Sequence, residues 1–317
     1  FVDLLLIAKP DFVVVDMLAG SEGGAFGNTV KRANIILAGA HPVATDLVAG
    51  KLMGFNPDDL EFAELAARRD EGPGTYDAIT VIGGDATALT SRWVKAGGDY
   101  HGEWSEHANY GKGPRRWTFF GPVDLDHEFS DEERTALHVT PGEGGWSSPV
   151  WFGHDRIDLD RHYDDPVHVA VYAHTRFTMP RDDEVRFWLG ADDRIQVWID
   201  GASIYQSTGA RRLGRRSADN LLGQVRLPGQ VQAGEHDLLI RIEQRRGPFE
   251  FSFNICEAID DIRFAGNTYA GLRYHLAGED EEDIVIAALH RWSTTPGDVQ
   301  TIELGYDYTD AEGVQDS

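Results

Sequence analysis

The sequence predicts a multi-domain chain in which a partial α/β domain is followed by an all-β jelly-roll sandwich. Near the start, short apolar runs such as residues 12–15 alternate with helix-like segments, which is typical of α/β domains. After residue 117, apolar and polar side chains alternate with a period of two, most clearly in residues 249–255, as expected for strands with one buried face. The length of 317 residues leaves room for two hydrophobic cores.

The predicted α/β domain spans residues 1–88. In order, we predict a helix at 3–8, a buried parallel strand at 12–15, a glycine-rich loop at 20–27, a strand at 35–38, helices after Pro42 and Pro57, and a closing strand at 78–82. The continuous β-branched run predicts the parallel strand, because such strands are buried on both faces. Pro42 suits the first position of a helix, since its missing N–H is not needed there.

Residues 89–116 are predicted to be a linker, because glycines interrupt a segment rich in tyrosine, tryptophan and histidine. The sandwich is expected at residues 117–258. Residues 259–317 are expected to form a tail, which contains one helix at residues 284–289. The clearest strands of the sandwich are residues 167–172, 185–189, 195–199, 238–242 and 249–255. The pair Asp200-Gly201 predicts a two-residue hairpin turn.

The charge balance limits the partners that this chain can bind. Lysine and arginine number 29 against 53 aspartates and glutamates, which gives a formal net charge of −24. Nucleic acid and anionic membrane surfaces are disfavoured as partners, since like charges repel. No apolar run approaches the roughly 20 residues that span a bilayer, so we predict no membrane span. Cys256 is the only cysteine, which rules out an intrachain disulfide and a thiolate zinc site.

Several short motifs between residues 3 and 85 occur together in a specific order and spacing. They are Lys9-Pro-Asp-Phe-Val-Val-Val-Asp16, Ile36-Leu-Ala-Gly39, Pro42-Val-Ala-Thr-Asp46 and Leu52-Met-Gly-Phe-Asn-Pro57. This string resembles the C-terminal half of the domain of unknown function 362 family, whose members are often linked to iron–sulfur proteins. The resemblance implies a metal- or redox-associated activity. His41 stands where that family usually has an aspartate.

Three polar residues of this segment are the candidate catalytic residues. Asp16 ends the predicted buried strand, and His41 and Asp46 stand at the start of the next helix. Ligands of open α/β sheets bind beyond the carboxyl ends of the strands, so these side chains could converge on one crevice. Two carboxylates and an imidazole could hold a divalent cation or act as acid and base. Alternatively, Asp16 caps a loop, His41 begins a helix and Asp46 faces solvent.

A second resemblance covers residues 117–255. Its motifs are Trp117-Thr-Phe-Phe-Gly-Pro122, Tyr172-Ala-His-Thr-Arg-Phe177, Leu189-Gly-Ala-Asp-Asp193, Val197-Trp-Ile-Asp-Gly201 and Ala233-Gly-Glu-His-Asp-Leu-Leu-Ile240. They resemble galactose-binding-like jelly-roll modules, which are appended to many exported glycoside-active and surface proteins. The resemblance implies either sugar binding or a packing role, and it favours an extracellular or cell-surface location over the cytoplasm.

Because Phe1 is not a methionine, we expect the natural chain to begin upstream.

Aromatic and arginine side chains supply the candidate ligand-binding residues of the sandwich. A sugar-stacking platform could form from Trp146, Trp151, Trp188, Trp198 and Tyr205, because aromatic faces pack on the C–H groups of sugar rings. Trp198 points to the face opposite Val197 and Ile199, where it could be exposed or could pack in a core. A basic patch at Arg211, Arg212, Arg215 and Arg216 could bind an acidic sugar or an acidic protein subunit, or it could be a solvated loop.

Asp192 and Asp193 are the candidate metal ligands. Carboxylate and carbonyl oxygens at a turn are suitable ligands for calcium. Such a pair can instead end a strand and accept hydrogen bonds from the backbone of a turn. Both interpretations are open from the sequence.

We interpret the chain as a non-catalytic binding or structural protein whose sandwich serves surface attachment or assembly. Its expected partner is carbohydrate or another protein subunit, and a divalent cation such as calcium is the one cofactor considered. The alternative is a metal- or redox-associated enzyme with its site around Asp16, His41 and Asp46. A third interpretation, a redox partner of an iron–sulfur protein, requires another chain to bring the cluster.

Overall fold

The computed structural model describes residues 2–23, 29–95, 112–152, 155–164, 166–208 and 224–276. Strands outnumber helices in these residues and form several sheets. The β-rich character predicted from the sequence is thereby confirmed. The predicted helix at 284–289 and most of the predicted linker lie outside the described residues.

The described residues contain short helices and mostly longer strands. The helices are α1 (Val2–Ile7), α2 (Pro42–Leu52), α3 (Glu61–Ala67), α4 (Ala86–Leu89), α5 (Asp131–Thr135) and α6 (Asp160–Tyr163), with 3₁₀ turns at Pro57–Asp59 and Tyr76–Ala78. The strands of the first hundred residues are β1 (Val13–Met17), β2 (Gly20–Glu22), β3 (Thr29–Lys31) and β4 (Ile35–Gly39). The later strands are β5 (Arg116–Asp124), β6 (Val150–Trp151), β7 (Ile157–Asp158), β8 (Val169–Met179), β9 (Asp183–Asp192), β10 (Arg194–Ile199), β11 (Ala202–Gln206), β12 (Val225–Val231), β13 (Gly234–Gln244), β14 (Glu250–Glu257) and β15 (Arg273–His275).

The first sheet consists of β1 and β4, and these strands run antiparallel. Val13 pairs with Gly39, and Met17 pairs with Ile35. The prediction of a parallel strand at residues 12–15 is therefore wrong. A parallel pair needs a crossover of a dozen or more residues, usually through a helix. Here the chain between the two strands forms the antiparallel β2–β3 pair instead.

The closing strand predicted at residues 78–82 is also absent from the structure. A 3₁₀ turn ends at Ala78, and no strand follows it in this segment. Ile79 and Val81 pack beside α2, whereas Ile82 is 91% exposed. Alternate apolar side chains of residues 78–82 are thus packed against the helix, although the backbone does not form the hydrogen-bond ladder of a strand.

Two larger sheets enclose the main hydrophobic core. The first has the order β11-β10-β13-β8-β5-β6, with β15 also paired to β8, and the second has the order β12-β9-β14-β7. Phe251, Phe253 and Ile255 of β14 lie in this core, as their alternation predicts. Their counterparts from the other sheet include Val171, Ala173 and Phe177 of β8, and Leu238, Ile240 and Ile242 of β13.

The hairpin predicted at Asp200-Gly201 is confirmed. Both residues have positive φ angles, 51° and 76°, and Ile199 pairs with Ala202 across the turn. Positive φ at both central residues is the requirement of a type I′ turn, which matches the twist of the flanking strands. The Asp200 carboxylate also accepts a hydrogen bond from the backbone N–H of Asp237 at 2.9 Å.

Each outer face of the sandwich is partly covered by other parts of the chain. On the larger sheet, Tyr172, Trp198 and Leu239 form a second cluster with Val139 and Trp146, which belong to the segment after β5. On the smaller sheet, the residues before β5 contribute polar contacts. Asn56, which precedes the first 3₁₀ turn, donates a hydrogen bond from Nδ2 to the Thr268 carbonyl at 3.0 Å.

The outward face of the β1–β4 sheet is apolar and exposed. Val15 and Met17 pack on α2, but Val14 is 60% exposed and Ile36 is 63% exposed. Phe12, just before β1, is 63% exposed. Contiguous exposed apolar side chains on one sheet face are unusual for a soluble monomer.

The two faces of β1 should respond differently to the same substitution. Val14→Thr should change the free energy of unfolding by less than about 0.5 kcal/mol, because the side chain is exposed and both residues suit a strand. Val15→Thr should cost about 1 kcal/mol or more, because it buries a hydroxyl against α2. Urea denaturation checks both values. Equal losses at the two positions would mean that Val14 is covered in solution.

Candidate functional site

The antiparallel pairing separates the predicted catalytic residues. Asp16 pairs with Ile36 near the end of β1, whereas His41 follows Gly39, which pairs with Val13. Three residues of strand, about 10 Å, therefore separate Asp16 from the end of β4 that leads to His41. The carboxyl ends of β1 and β4 lie at opposite ends of this sheet, so the expected convergence on one crevice does not occur.

Each of these side chains has a local structural setting. The Asp16 Oδ1 atom accepts a hydrogen bond from the Leu18 backbone N–H at 2.8 Å, which is the loop-capping role considered from the sequence. His41 is the N-cap of α2, and its ring packs against Gly72, where an added Cβ would lie 2.3 Å from the ring. Asp46 lies on α2, and partial burial raises the pKa of its carboxyl.

Asp192 and Asp193 are buried where β9 leads into β10. The Asp193 Oδ2 atom accepts hydrogen bonds from the backbone N–H groups of Arg245 at 2.6 Å and Arg246 at 3.4 Å. This carboxylate therefore holds the turn between β13 and β14. Within the described residues, no group of three or more histidine, cysteine, aspartate or glutamate side chains is arranged to hold a metal ion.

The five aromatic residues considered as a platform do not share one surface. Trp198 is 6% exposed and lies with Trp146 in the second cluster on the larger sheet, 5.0 Å from the Arg134 guanidinium. Trp188 lies on the outer side of the smaller sheet, below Arg226. Tyr205 packs at the edge of the main core. The structure thus gives Trp198 the packing role that was the alternative to exposure.

The basic patch at Arg211 and Arg212 lies outside the described residues. Its predicted role in binding an acidic ligand or subunit stays a prediction.

An open groove lies at the end of β5 and was not predicted from the sequence. Its volume is about 540 Å³, and its lining residues are Pro122, Val123, Asp124, Asp126, His127 and Val169. A cavity of this size is in the range of small-molecule sites, which combine an apolar floor with a few polar groups. Here proline and valine side chains provide the apolar part, and two carboxylates and an imidazole provide the polar part.

A local irregularity in β5 shapes this groove. The pairing of β5 with β8 shifts register between Phe120 and Val123, where a cis bond joins Gly121 to Pro122. Gly121 has a φ of 122°, and a Cβ there would lie 3.0 Å from the Ala170 carbonyl oxygen. Glycine is therefore required at this position. Pairing with β8 resumes at Val123 and Asp124, so the groove lies where β5 ends.

Two buried side chains fix the loop that carries the polar groups. The Arg241 guanidinium donates a hydrogen bond from Nη2 to the Leu125 carbonyl at 2.5 Å. The Tyr172 hydroxyl donates to the His127 carbonyl at 3.1 Å and accepts from the Phe129 N–H at 3.2 Å. Both side chains project from the outer face of the larger sheet, so the sheet itself positions the loop.

The two carboxylates of the groove are accessible to a ligand. Asp124 and Asp126 are exposed. His127 stacks on the Phe120 ring with the two ring centroids 5.8 Å apart, and its Nε2 atom is buried from solvent. These carboxylates can accept hydrogen bonds from hydroxyl groups. Among the residues that the structure describes, no lysine or arginine lines this groove.

The sequence contained one signal for this site. The Gly121-Pro122 pair interrupts a strand, and Asp124, Asp126 and His127 follow it directly. Polar residues that follow a break in a strand are candidates for a site at the sheet's edge.

The described helices include none that is long and apolar enough to cross a membrane. No family model matches the chain, and no curated protein matches it.

Solved structures with some likeness to this chain are distant. A β-glucosidase from Kluyveromyces marxianus has a TM-score of 0.33 and 10% identity, covering 46% of this chain and 17% of its own. An uncultured Clostridium sp. β-glucuronidase has a TM-score of 0.26 and 14% identity, covering 42% of this chain and 22% of its own. An anti-sigma factor domain-containing protein from Clostridium clariflavum has a TM-score of 0.27 and 12% identity, covering 50% and 48%.

The chain therefore spans about a sixth of the β-glucosidase and less than half of the anti-sigma factor protein. With these TM-scores, the likenesses assign neither a fold family nor an activity to this chain.

Proposed function

We propose that the chain is a non-catalytic binding protein whose β-sandwich takes carbohydrate in the groove at residues 122–127, for surface attachment or assembly. The observation that carries the proposal is the groove itself. Apolar side chains of Pro122 and Val169 line it beside the carboxylates of Asp124 and Asp126. Sugars present C–H groups on ring faces and hydroxyls at the rim, so they need both kinds of surface.

The charge of the groove supports a neutral sugar as the ligand. In the described part of the chain, its lining includes two aspartates and neither lysine nor arginine. A uronate or sulfated sugar would be repelled at short range, and the net charge of −24 adds to this repulsion at long range. Hydroxyl groups, by contrast, form charge-assisted hydrogen bonds with carboxylates, which are stronger than neutral ones.

The pre-formed shape of the groove supports binding further. Arg241 and Tyr172 hold the loop from the outer face of the larger sheet, so the ligand does not have to order it. Binding to a pre-organised site avoids the entropy cost of immobilising a flexible loop.

We further propose that the sandwich is of the galactose-binding-like jelly-roll type, and that residues 3–85 are related to the C-terminal half of the domain of unknown function 362 family. The motifs quoted from the sequence support both relationships. The enzyme alternative around Asp16, His41 and Asp46 gains no support from the geometry, because the first two lie toward opposite ends of the β1–β4 sheet.

A glycan-binding experiment tests this function. An array of neutral and acidic glycans should show binding of neutral oligosaccharides, and calorimetric titration should then measure the affinity for the best of them. The double variant Asp124→Ala/Asp126→Ala should weaken this affinity by about tenfold or more, because each charge-assisted hydrogen bond contributes about 1.5–3 kcal/mol.

Asp11→Ala is the matched control, because Asp11 is another exposed aspartate that lies outside the groove. It should leave the affinity unchanged. The proposal fails if no neutral glycan binds, or if the double variant and the control bind with the affinity of the unmodified protein.

A further inference from the structure

A second, smaller cleft lies on the outer side of β10, β11 and β13. Its volume is about 30 Å³, and it is lined by Arg194, Ile195, Gln196, Gln206, Ser207, Arg241 and Glu243. A space of this size holds about one water-sized particle. Except for Ile195, every lining side chain is polar or charged.

Positive charge exceeds negative charge around this cleft. The Glu243 carboxylate accepts a hydrogen bond from Arg241 Nη1 at 2.6 Å. Its Oε2 atom lies 3.8 Å from Arg194 Nη1 and 3.7 Å from Arg245 Nη2. Three guanidinium groups thus surround one carboxylate. The neighbouring Asp193 carboxylate is already engaged by backbone N–H groups at the β13–β14 turn.

Two of these guanidinium groups have a donor left over. Arg241 is 1% exposed, and its two terminal nitrogens donate to Glu243 and to the Leu125 carbonyl. Its Nε–H is shielded from solvent and has no acceptor among the residues that the structure describes, and the same is true of the Arg194 Nε–H. A buried donor without an acceptor costs about 1–3 kcal/mol. An acceptor bound between these arginines would remove that cost.

We propose that this cleft binds a single halide ion, chloride under ordinary conditions, held by Arg194 and Arg241. A monatomic anion fits the volume of the cleft. An anion only accepts hydrogen bonds, which is what the two free donors need. The excess of guanidinium charge favours it over neutral water. This site is distinct from the sugar groove and does not depend on the proposed function.

The proposal predicts a different change in chloride affinity for each of three variants. Arg194→Gln removes a half-exposed guanidinium and should weaken chloride binding by about tenfold. Glu243→Gln removes the competing carboxylate and should strengthen chloride binding. Arg263→Gln is the matched control, because this arginine is exposed, pairs with Asp261 and does not line the cleft; it should change nothing.

Chloride NMR line broadening during a sodium chloride titration measures binding in solution, and crystals soaked in sodium bromide locate the ion. We expect an anomalous bromide peak beside Arg194 and Arg241, and broadening that Arg194→Gln reduces and Arg263→Gln does not. Should Glu243→Gln fail to fold, the comparison of Arg194→Gln with Arg263→Gln still decides. Water alone in the cleft of the bromide crystals, or equal broadening in these two variants, would overturn the proposal.

Discussion

Phe251→Ala is expected to lower the free energy of unfolding by about 3–5 kcal/mol, the usual cost of truncating a buried phenylalanine. Phe251 lies on β14 in the core between the two sheets and is 0% exposed. Its ring meets the edge of the Trp117 ring of β5 at a centroid distance of 5.1 Å. This contact joins the smaller sheet to the larger one, so its loss leaves a cavity where the sheets meet.

Phe12→Ala is the matched control for this prediction. It removes the same side chain from a position that is 63% exposed, outside the core. We expect a loss of less than about 1 kcal/mol there. Urea denaturation of the two variants gives both values. Similar losses would contradict the assignment of a common core to the two sheets.

The second large effect concerns pH and a polar contact between the N-terminal part and the sandwich. The Asp59 carboxylate accepts hydrogen bonds from the backbone N–H groups of Lys112 at 3.1 Å and Thr268 at 3.0 Å. Burial raises the pKa of this carboxyl from 3.8 to about 7, although these hydrogen bonds and the nearby Lys95 act in the opposite direction. Burial also lowers the pKa of Lys95 from 10.5 to about 8.

The raised pKa of Asp59 determines the sign of the effect. Between about pH 4 and pH 7 the folded protein keeps a proton on Asp59 that the unfolded chain releases. The stabilisation linked to this proton is complete below pH 3.8 and is lost as the pH rises through about 7. Between about pH 8 and pH 10.5 the folded protein binds fewer protons at Lys95 than the unfolded chain does. The contribution of Lys95 to the free energy of unfolding therefore increases as the pH rises through that window.

Comparison with Asp59→Asn isolates this linkage from other titrating groups. Asparagine cannot titrate. Because it has a single carbonyl oxygen, one N–H group loses its acceptor, and this loss lowers the free energy of unfolding by an amount that does not depend on pH. We expect the stability of the variant relative to the unmodified protein to improve by about 2 kcal/mol between pH 5 and pH 7.5. Urea denaturation at both pH values measures it, with Asp11→Asn as an exposed control. A difference that is constant with pH would contradict the raised pKa.

Predictions from the sequence were most accurate for features that depend only on residues adjacent along the chain. The turn at Asp200-Gly201 was predictable because two adjacent residues that tolerate positive φ stand between strands. The alternation in residues 249–255 was sufficient to assign the face of β14 that lies in the main core. It did not show that Glu250, Ser252 and Asn254 on the other face are buried as well. Both features require only local backbone geometry and the preference of apolar side chains for a core.

Features that depend on distant residues were not predictable in this way. The apolar run at residues 12–15 suits parallel and antiparallel strands alike, and only its pairing with Ile35–Gly39 decides between them. For Trp198, alternation correctly placed the ring opposite Val197. It could not show that the segment carrying Val139 and Trp146 covers that face.

The groove illustrates the same limit for the candidate site. Its loop is held by Arg241, which is 116 residues from the Leu125 carbonyl that it contacts. No local pattern around Asp124 and Asp126 reveals that contact. The expected convergence of Asp16 and His41 does not occur for a related reason, since it assumed strands whose carboxyl ends meet at one edge of a sheet.

A crystal structure of the protein soaked with the neutral oligosaccharide that binds most tightly on the array tests the central claim directly. We predict sugar hydroxyls within hydrogen-bond distance of the Asp124 and Asp126 carboxylates, and a sugar ring against Pro122. Density for the sugar at any other surface, with the groove occupied by solvent alone, would contradict the account.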